Sequence, residues 1–158
     1  MIEYALLKWI HILSATLLFG TGLGSAFYKW CADRSNNIPA IAHTNRMVVI
    51  ADWAFTTPTI IIQPITGIWL LSLLHIPLTQ GWVLLTFGLY LLAGGCWLPV
   101  VYLQIRMRDL AMQAQRDKRP LTNTYQRYTR LWFWLGIPAF GAMIGVYFLM
   151  VFKPQIGF

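Results

Sequence analysis

The chain has 158 residues, of which 58% are hydrophobic and 11% charged, with a formal net charge of +7 and a mean hydropathy of +0.58. A soluble domain of this size carries about a quarter charged residues, whereas here the apolar residues gather into four blocks separated by the polar ones, so the composition excludes an ordinary soluble domain. The positive charge sits in the connecting segments, where it belongs to membrane topology and anionic lipid headgroups rather than to nucleic acid.

The four blocks predict an all-α, polytopic membrane protein: a four-transmembrane-helix bundle forming a single integral membrane domain over residues 1–158. Span one runs from about Tyr4 to Trp30, span two from about Met47 to Leu74, span three from about Trp82 to Leu103, and span four from about Leu131 to Phe152. Each exceeds the roughly 20 residues that a helix needs to cross the hydrocarbon core. The first block is too long for a signal-peptide core and has no small-residue cleavage site after it, so it is expected to be retained.

Orientation follows from the loops. Residues 29–46 carry Lys29, Arg34 and Arg46, and residues 104–130 carry Arg106, Arg108, Arg116, Lys118, Arg119, Arg127 and Arg130, while residues 75–81 have no Lys or Arg. The positive-inside rule then predicts N-out/C-out, with the first and third loops cytoplasmic. In the third loop, Leu103, Met107, Leu110, Ala111 and Ala114 recur at helical spacing opposite Arg106, Asp109, Gln113 and Asp117, which predicts an amphipathic extension of span three over about 104–119. Pro120 follows it, and Thr122, Asn123 or Thr124 can cap the next helix. The short outer loop makes spans two and three antiparallel neighbours.

Ionisable and strongly polar residues inside spans are the first candidates for function. His11 lies on the order of 9 Å from the middle of span one, within hydrocarbon. Its imidazole suits a haem or metal ligand, a proton shuttle, or a structural hydrogen bond. A second haem ligand could come from His75, if span two bends, or from Met150 in span four, although a methionine there also serves as packing. His43 falls in the first loop as a surface histidine. Asp52 stands at the inner edge of span two, where Arg46, Arg106 or Lys29 could form an ion pair with it; a proton-relay role is the alternative. Gln63 is near mid-membrane and requires a partner, either a carbonyl freed by Pro64 or a group on another helix. Pro58, Pro64 and the threonines around them predict a bent second span beside a cavity for a cofactor, quinone or solute.

Gly20 and Gly24 form a GxxxG pattern that reads as close helix packing. Trp30, Trp53, Trp97 and Tyr102 suit an inner aromatic belt, and Trp9 and Trp82 an outer one. Cys31 and Cys96 have no CxxC spacing and read as free thiols. Hydrolytic and phosphoryl-transfer motifs are missing from the sequence.

Several of these segments together resemble a bacterial family of predicted integral membrane proteins, domain-of-unknown-function family 2269. They are His11-Ile-Leu-Ser14 through Phe19-Gly-Thr-Gly-Leu-Gly24, Ala51-Asp-Trp53 with Phe55-Thr-Thr-Pro58, Gln63-Pro64 with Thr66-Gly67, and Cys96-Trp-Leu-Pro-Val-Val101 with Leu103-Gln104 and Arg106-Met107-Arg108. Trp132-Phe133 and Pro138-Ala-Phe140 extend the likeness over nearly the whole chain. The resemblance implies a multi-pass protein of the bacterial inner (plasma) membrane. More remotely, Lys8-x-x-His11-Ile12 is similar to the first helix of haem-dependent membrane protoporphyrinogen oxidases and copper-resistance D-type proteins, which implies haem binding for His11 alone. The oxidase has a His and a Lys after a Gly-Trp, where this chain has Val83, Leu84 and Leu85 after Gly81-Trp82, so the same oxidation does not carry over.

Two functional expectations result. One is a membrane oxidoreductase or redox subunit holding a haem b, or another redox cofactor, through His11 and meeting a membrane or redox protein partner. The other is a non-catalytic partner subunit or small-solute permease component, with His11 and Gln63 structural or lining a pathway.

Overall fold

The computed structural model describes residues 2–155. Its helices are α1 (Ile2–Arg34), α2 (Ile38–Ala51), a π-helical segment (Asp52–Thr56), α3 (Thr57–Leu73), α4 (Gly81–Asp117) and α5 (Asn123–Phe152). The π segment joins α2 to α3 without a break, so among the described residues four continuous helices are long and apolar enough to cross a bilayer. At 1.5 Å per residue they run to roughly 45–55 Å, well beyond a hydrocarbon core of about 30 Å.

The surplus length collects at the end rich in arginine. The sequence reading leaves residues 29–46 as a loop, but the structure reduces that loop to residues 35–37. Asn37 accepts a bond from the Ala40 amide (3.2 Å) and Pro39 occupies the first turn, so α2 starts nine residues before the apolar run at Met47. Hydropathy alone misses this start because the first turns of α2 are only half apolar. The gain is a partner for the extension of α4. Ile41 and Ala42 of α2, Leu103, Met107 and Ala111 of α4, and Tyr125 of α5 form one buried cluster. Thr122 caps α5 by accepting from the Tyr125 amide, at 3.3 Å.

A polar knot fastens the same end. Lys29 is buried and donates to Asp33 (2.8 Å) and to the Tyr125 hydroxyl (3.1 Å). That hydroxyl donates to Asp33 at 2.5 Å, and Asn45 donates to it at 2.8 Å. The Lys29 ammonium also lies over the Tyr125 and Trp132 rings, 5.1 and 5.6 Å from their centroids. Three helices, α1, α2 and α5, are thereby tied at one point.

Within the membrane the bundle is two helix pairs. α4 packs along α5, closely enough that a Cβ on Gly145 would meet Leu89 Cδ1 at 2.9 Å, and α1 packs along α3. α2 joins the pairs at the arginine-rich end by lying against both α1 and α4. At the other end Trp82, Val83 and Leu149 form a second core, so Trp82 is packed inside the protein rather than placed in an aromatic belt. Between these two closures the pairs diverge. Spans two and three meet mainly through α2, while α3 and α4 make little backbone contact.

Candidate functional site

The divergence leaves a cavity of about 750 Å³. Its walls are partly made of missing side chains: Gly94, Gly95 and Gly136 line it, and a Cβ built on any of them meets nothing within 4 Å. Phe19, Phe140 and Ile60 are among its apolar lining residues. Pro99 has no N–H to offer the Gly95 carbonyl, which leaves a backbone acceptor in the same wall.

The polar end of this cavity begins at the π segment. Pro58 cannot donate to the Ala54 carbonyl, and its ring crowds that carbonyl, so the ladder opens to a wider register here. The Thr57 amide and hydroxyl both turn to the Asp52 carbonyl, the hydroxyl at 3.0 Å. Thr59 donates its hydroxyl to the Phe55 and Thr56 carbonyls, at 2.7 and 2.9 Å, next to the acceptor that Pro58 leaves free. Asp52 and Thr56 both border the cavity and are 5% and 4% exposed.

α4 and α5 complete the polar end. Gln104 (5% exposed), Trp97 and Trp132 line the cavity with Asp52 and Thr56. The Thr56, Trp97 and Gln104 side chains are turned toward the Asp52 carboxylate. Asp52 Oδ2, Thr56 Oγ1, Trp97 Nε1, Gln104 Oε1 and Trp132 Nε1 are nevertheless buried without a hydrogen-bond partner of good geometry among the described residues. A buried polar atom with no partner of good geometry is unusual in a folded protein, and five such atoms belong to residues that line this one cavity.

The expected ion pair of Asp52 does not form. Lys29 is engaged by Asp33, and Arg46 and Arg106 are exposed. The salt bridges among the described residues are Lys29–Asp33 and Arg108–Asp109. The geometric reason is that Asp52 faces inward from the π segment, while the cations sit on outward faces or in the knot. Trp97 is also reassigned, because its indole nitrogen is buried on the Asp52 side instead of reaching a headgroup belt.

His11 and Gln63 hold α1 to α3. His11 Nδ1 and Thr66 Oγ1 are 2.7 Å apart, and Gln63 donates to the His11 carbonyl (2.8 Å) and to the Ser14 hydroxyl. Of the two partners open to Gln63, another helix provides it. The carbonyl freed by Pro64, that of Ile60, accepts from the Tyr90 hydroxyl of α4 instead. Gly67 admits the imidazole, whose Cε1 lies 3.4 Å from where a Cβ would stand.

The other proposed haem ligands lie elsewhere. His75 is exposed in the turn after α3 at a φ of 54°, and Met150 packs on the Trp82–Leu149 core. His11 lines neither the 750 Å³ cavity nor the one beside Trp30 and Trp132. No cluster of three His, Cys, Asp or Glu residues able to hold a metal occurs among the described residues. His11 is thus on the α1–α3 seam, His75 in the turn after α3 and Met150 on the Trp82–Leu149 core. Gly20 and Gly24 face open space, with nothing within 4 Å of a built Cβ; the close approach in this helix is at Gly22, 3.5 Å from Phe140. His43 is on an exposed face of α2, and Cys31 and Cys96 are free thiols.

Thr56, Trp97, Gln104 and Trp132 were not recognisable as a set from sequence. Gln104 carries the one usable signal, an amide at the end of an apolar run just before the first arginine of the extension.

Four apolar membrane-length helices, three of them carrying internal prolines, define a polytopic helical integral membrane protein. The chain belongs to the family described as predicted integral membrane protein (DUF2269), whose profile matches residues 5–154. Neither the curated proteins nor the solved structures contain a match.

Proposed function

We propose that this protein binds a hydrophobic small molecule within the membrane, in the cavity between the α1–α3 and α4–α5 pairs, as a carrier or permease component. The observation that carries the reading is a buried acid, Asp52, with the neutral side chains of Thr56, Trp97 and Gln104 turned toward it, in the wall of an otherwise apolar, glycine-walled space. An apolar body would fill the glycine region, and a polar head would satisfy the atoms around Asp52. His11 and Gln63 are structural in this reading, since both are occupied in joining α1 to α3. The reading also places the arginine-rich end in the cytoplasm of a bacterial cell, with the protein in the inner membrane, on the positive-inside rule.

The test is to reconstitute the protein in lipid nanodiscs after purification from native membranes, and to quantify co-purifying small molecules by mass spectrometry of the organic extract. Gly94→Trp and Gly136→Trp each fill the cavity from its wall. Loss of a wild-type-enriched molecule in both variants supports the reading, and identical extracts from all three proteins overturn it.

A further inference from the structure

The Asp52 end of the cavity says more about its ligand than that it has a polar head. Asp52 is 95% removed from solvent by its 5% exposure, and no cation of the chain pairs with it among the described residues. Its neighbours Thr56, Trp97 and Gln104 are neutral. Neutral donors ease the burial of a carboxylate without cancelling its charge, and an uncompensated charge at membrane depth is costly.

Two partners can remove that cost: a proton, or a cation brought by the ligand. Aromatic faces favour the second. Phe19, Tyr90, Trp97, Trp132, Phe133 and Phe140 line the space, and ring faces attract cations once water is excluded. Gln104 Oε1, left without a donor beside the carboxylate, adds a second acceptor suited to an ammonium N–H.

We infer that the cavity takes a hydrophobic organic monocation, and that this cation and a proton compete for Asp52. Binding to the protonated protein then releases the Asp52 proton to water as the cation pairs with the carboxylate; release of the cation takes a proton back. This exchange rests on the cavity-binding reading above and adds its charge selectivity. Other titratable groups near the site are few. Tyr90 is the remaining titratable residue lining the cavity, and its hydroxyl is committed to the Ile60 carbonyl. The wall contributed by α1 and α5 contains none, and α2 and α3 place no further acid or base on the lining. Lys29 stands over the ring of the lining residue Trp132 and is bound to Asp33.

The experiment uses the full chain in nanodiscs and radiolabelled tetraphenylphosphonium, a permanent cation whose own charge does not change with pH. Tetraphenylborate, of similar shape and opposite charge, and neutral triphenylphosphine oxide serve as controls. Saturable phosphonium binding is expected. Once Asp52 is protonated, it should weaken about tenfold for each unit of falling pH, and binding there should release about one proton in weak buffer. Asp52→Asn should remove the saturable binding and the proton release, whereas Asp52→Glu should keep both with a shifted midpoint.

Gly94→Trp, which leaves Asp52 in place, should block the phosphonium and guards against misreading a misfolded Asp52→Asn. Saturable binding of triphenylphosphine oxide that survives in Asp52→Asn, with no phosphonium binding, would overturn the cation inference and leave the cavity-binding reading standing. Failure of all three probes, together with extracts unaffected by the tryptophan variants, would overturn both. Phosphonium binding that is independent of pH and of Asp52 overturns the exchange.

Discussion

Tyr90 donates its hydroxyl to the carbonyl of Ile60, the acceptor that Pro64 leaves without a helical donor, and this bond ties α4 to α3 across the cavity. Tyr90→Phe removes the donor and strands the carbonyl in a medium with no water to replace it. The expected loss is about 1 kcal/mol, within the range of interhelical bonds in membranes. The Pro64→Ala background supplies the missing N–H, so the same tyrosine change there should cost markedly less. A double-mutant cycle of unfolding in mixed micelles measures this, and an equal cost in both backgrounds would contradict the assignment.

A second prediction concerns His11. Its Nδ1 is engaged by Thr66 and its backbone carbonyl by Gln63, so His11→Ala should loosen the α1–α3 seam without removing any chromophore. The expected destabilisation is about 1–2 kcal/mol, from one lost hydrogen bond and a small void against Gly67. Protein purified from haem-replete cells should show no Soret band, oxidised or reduced. A Soret band that disappears in His11→Ala would restore the haem reading and displace the structural one.

Much of the fold was legible because apolar length and arginine placement are properties of the chain itself. The four spans, the extension of α4 and the cap at Thr122 follow from local patterns. That the second span would depart from a regular α-helix was also legible, since Pro58 and Pro64 remove donors wherever they stand in a helix, and the departure is the π segment before Pro58. What could not be read was which residues meet. Asp52 was visible as an acid in a span, but its isolation from Lys29 depends on a knot that also needs Asp33 of α1, Asn45 of α2 and Tyr125 of α5. Trp97 and Trp82 carry the same belt signature as Trp9 and Trp53. Only packing separates Trp82, which is 3% exposed, from Trp9 and Trp53, at 59% and 58%. Glycine is ambiguous for the same reason: Gly20 and Gly24 match a packing motif and face open space, while Gly94 and Gly136 match none and shape the cavity.

The knot itself makes a third prediction. Lys29 is 1% exposed and its partner Asp33 is 16% exposed, so replacing the lysine leaves a poorly solvated carboxylate without its cation and the Tyr125 hydroxyl without its ammonium donor. Lys29→Met should destabilise the protein by about 3 kcal/mol, at the low end for breaking a buried pair because Asp33 keeps some access to water. Lys29→Met combined with Asp33→Leu should recover part of that loss, since no lone charge then remains. Thermal unfolding in detergent of the two single variants and the double variant decides the matter, and strictly additive losses would show that the pair is not coupled.

The last prediction tests which end faces the cytoplasm, on which the positions of Asp52 and the knot relative to the two compartments depend. Cys31 is exposed near the arginine-rich end of α1, whereas Cys96 is only partly exposed and lies within α4. A membrane-impermeant maleimide should therefore label Cys31 in inverted vesicles and not in intact cells. His75 is exposed in the turn at the opposite end, so His75→Cys in a Cys31→Ser, Cys96→Ala background should give the reverse pattern. The positive-inside rule predicts this pair of outcomes because most of the basic residues lie at one end of the bundle, with only Lys8 and Lys153 at the other, and residues 75–81 contain none. Labelling of Cys31 from outside intact cells, with His75→Cys protected, would invert the protein and place the Asp52 end of the cavity toward the exterior.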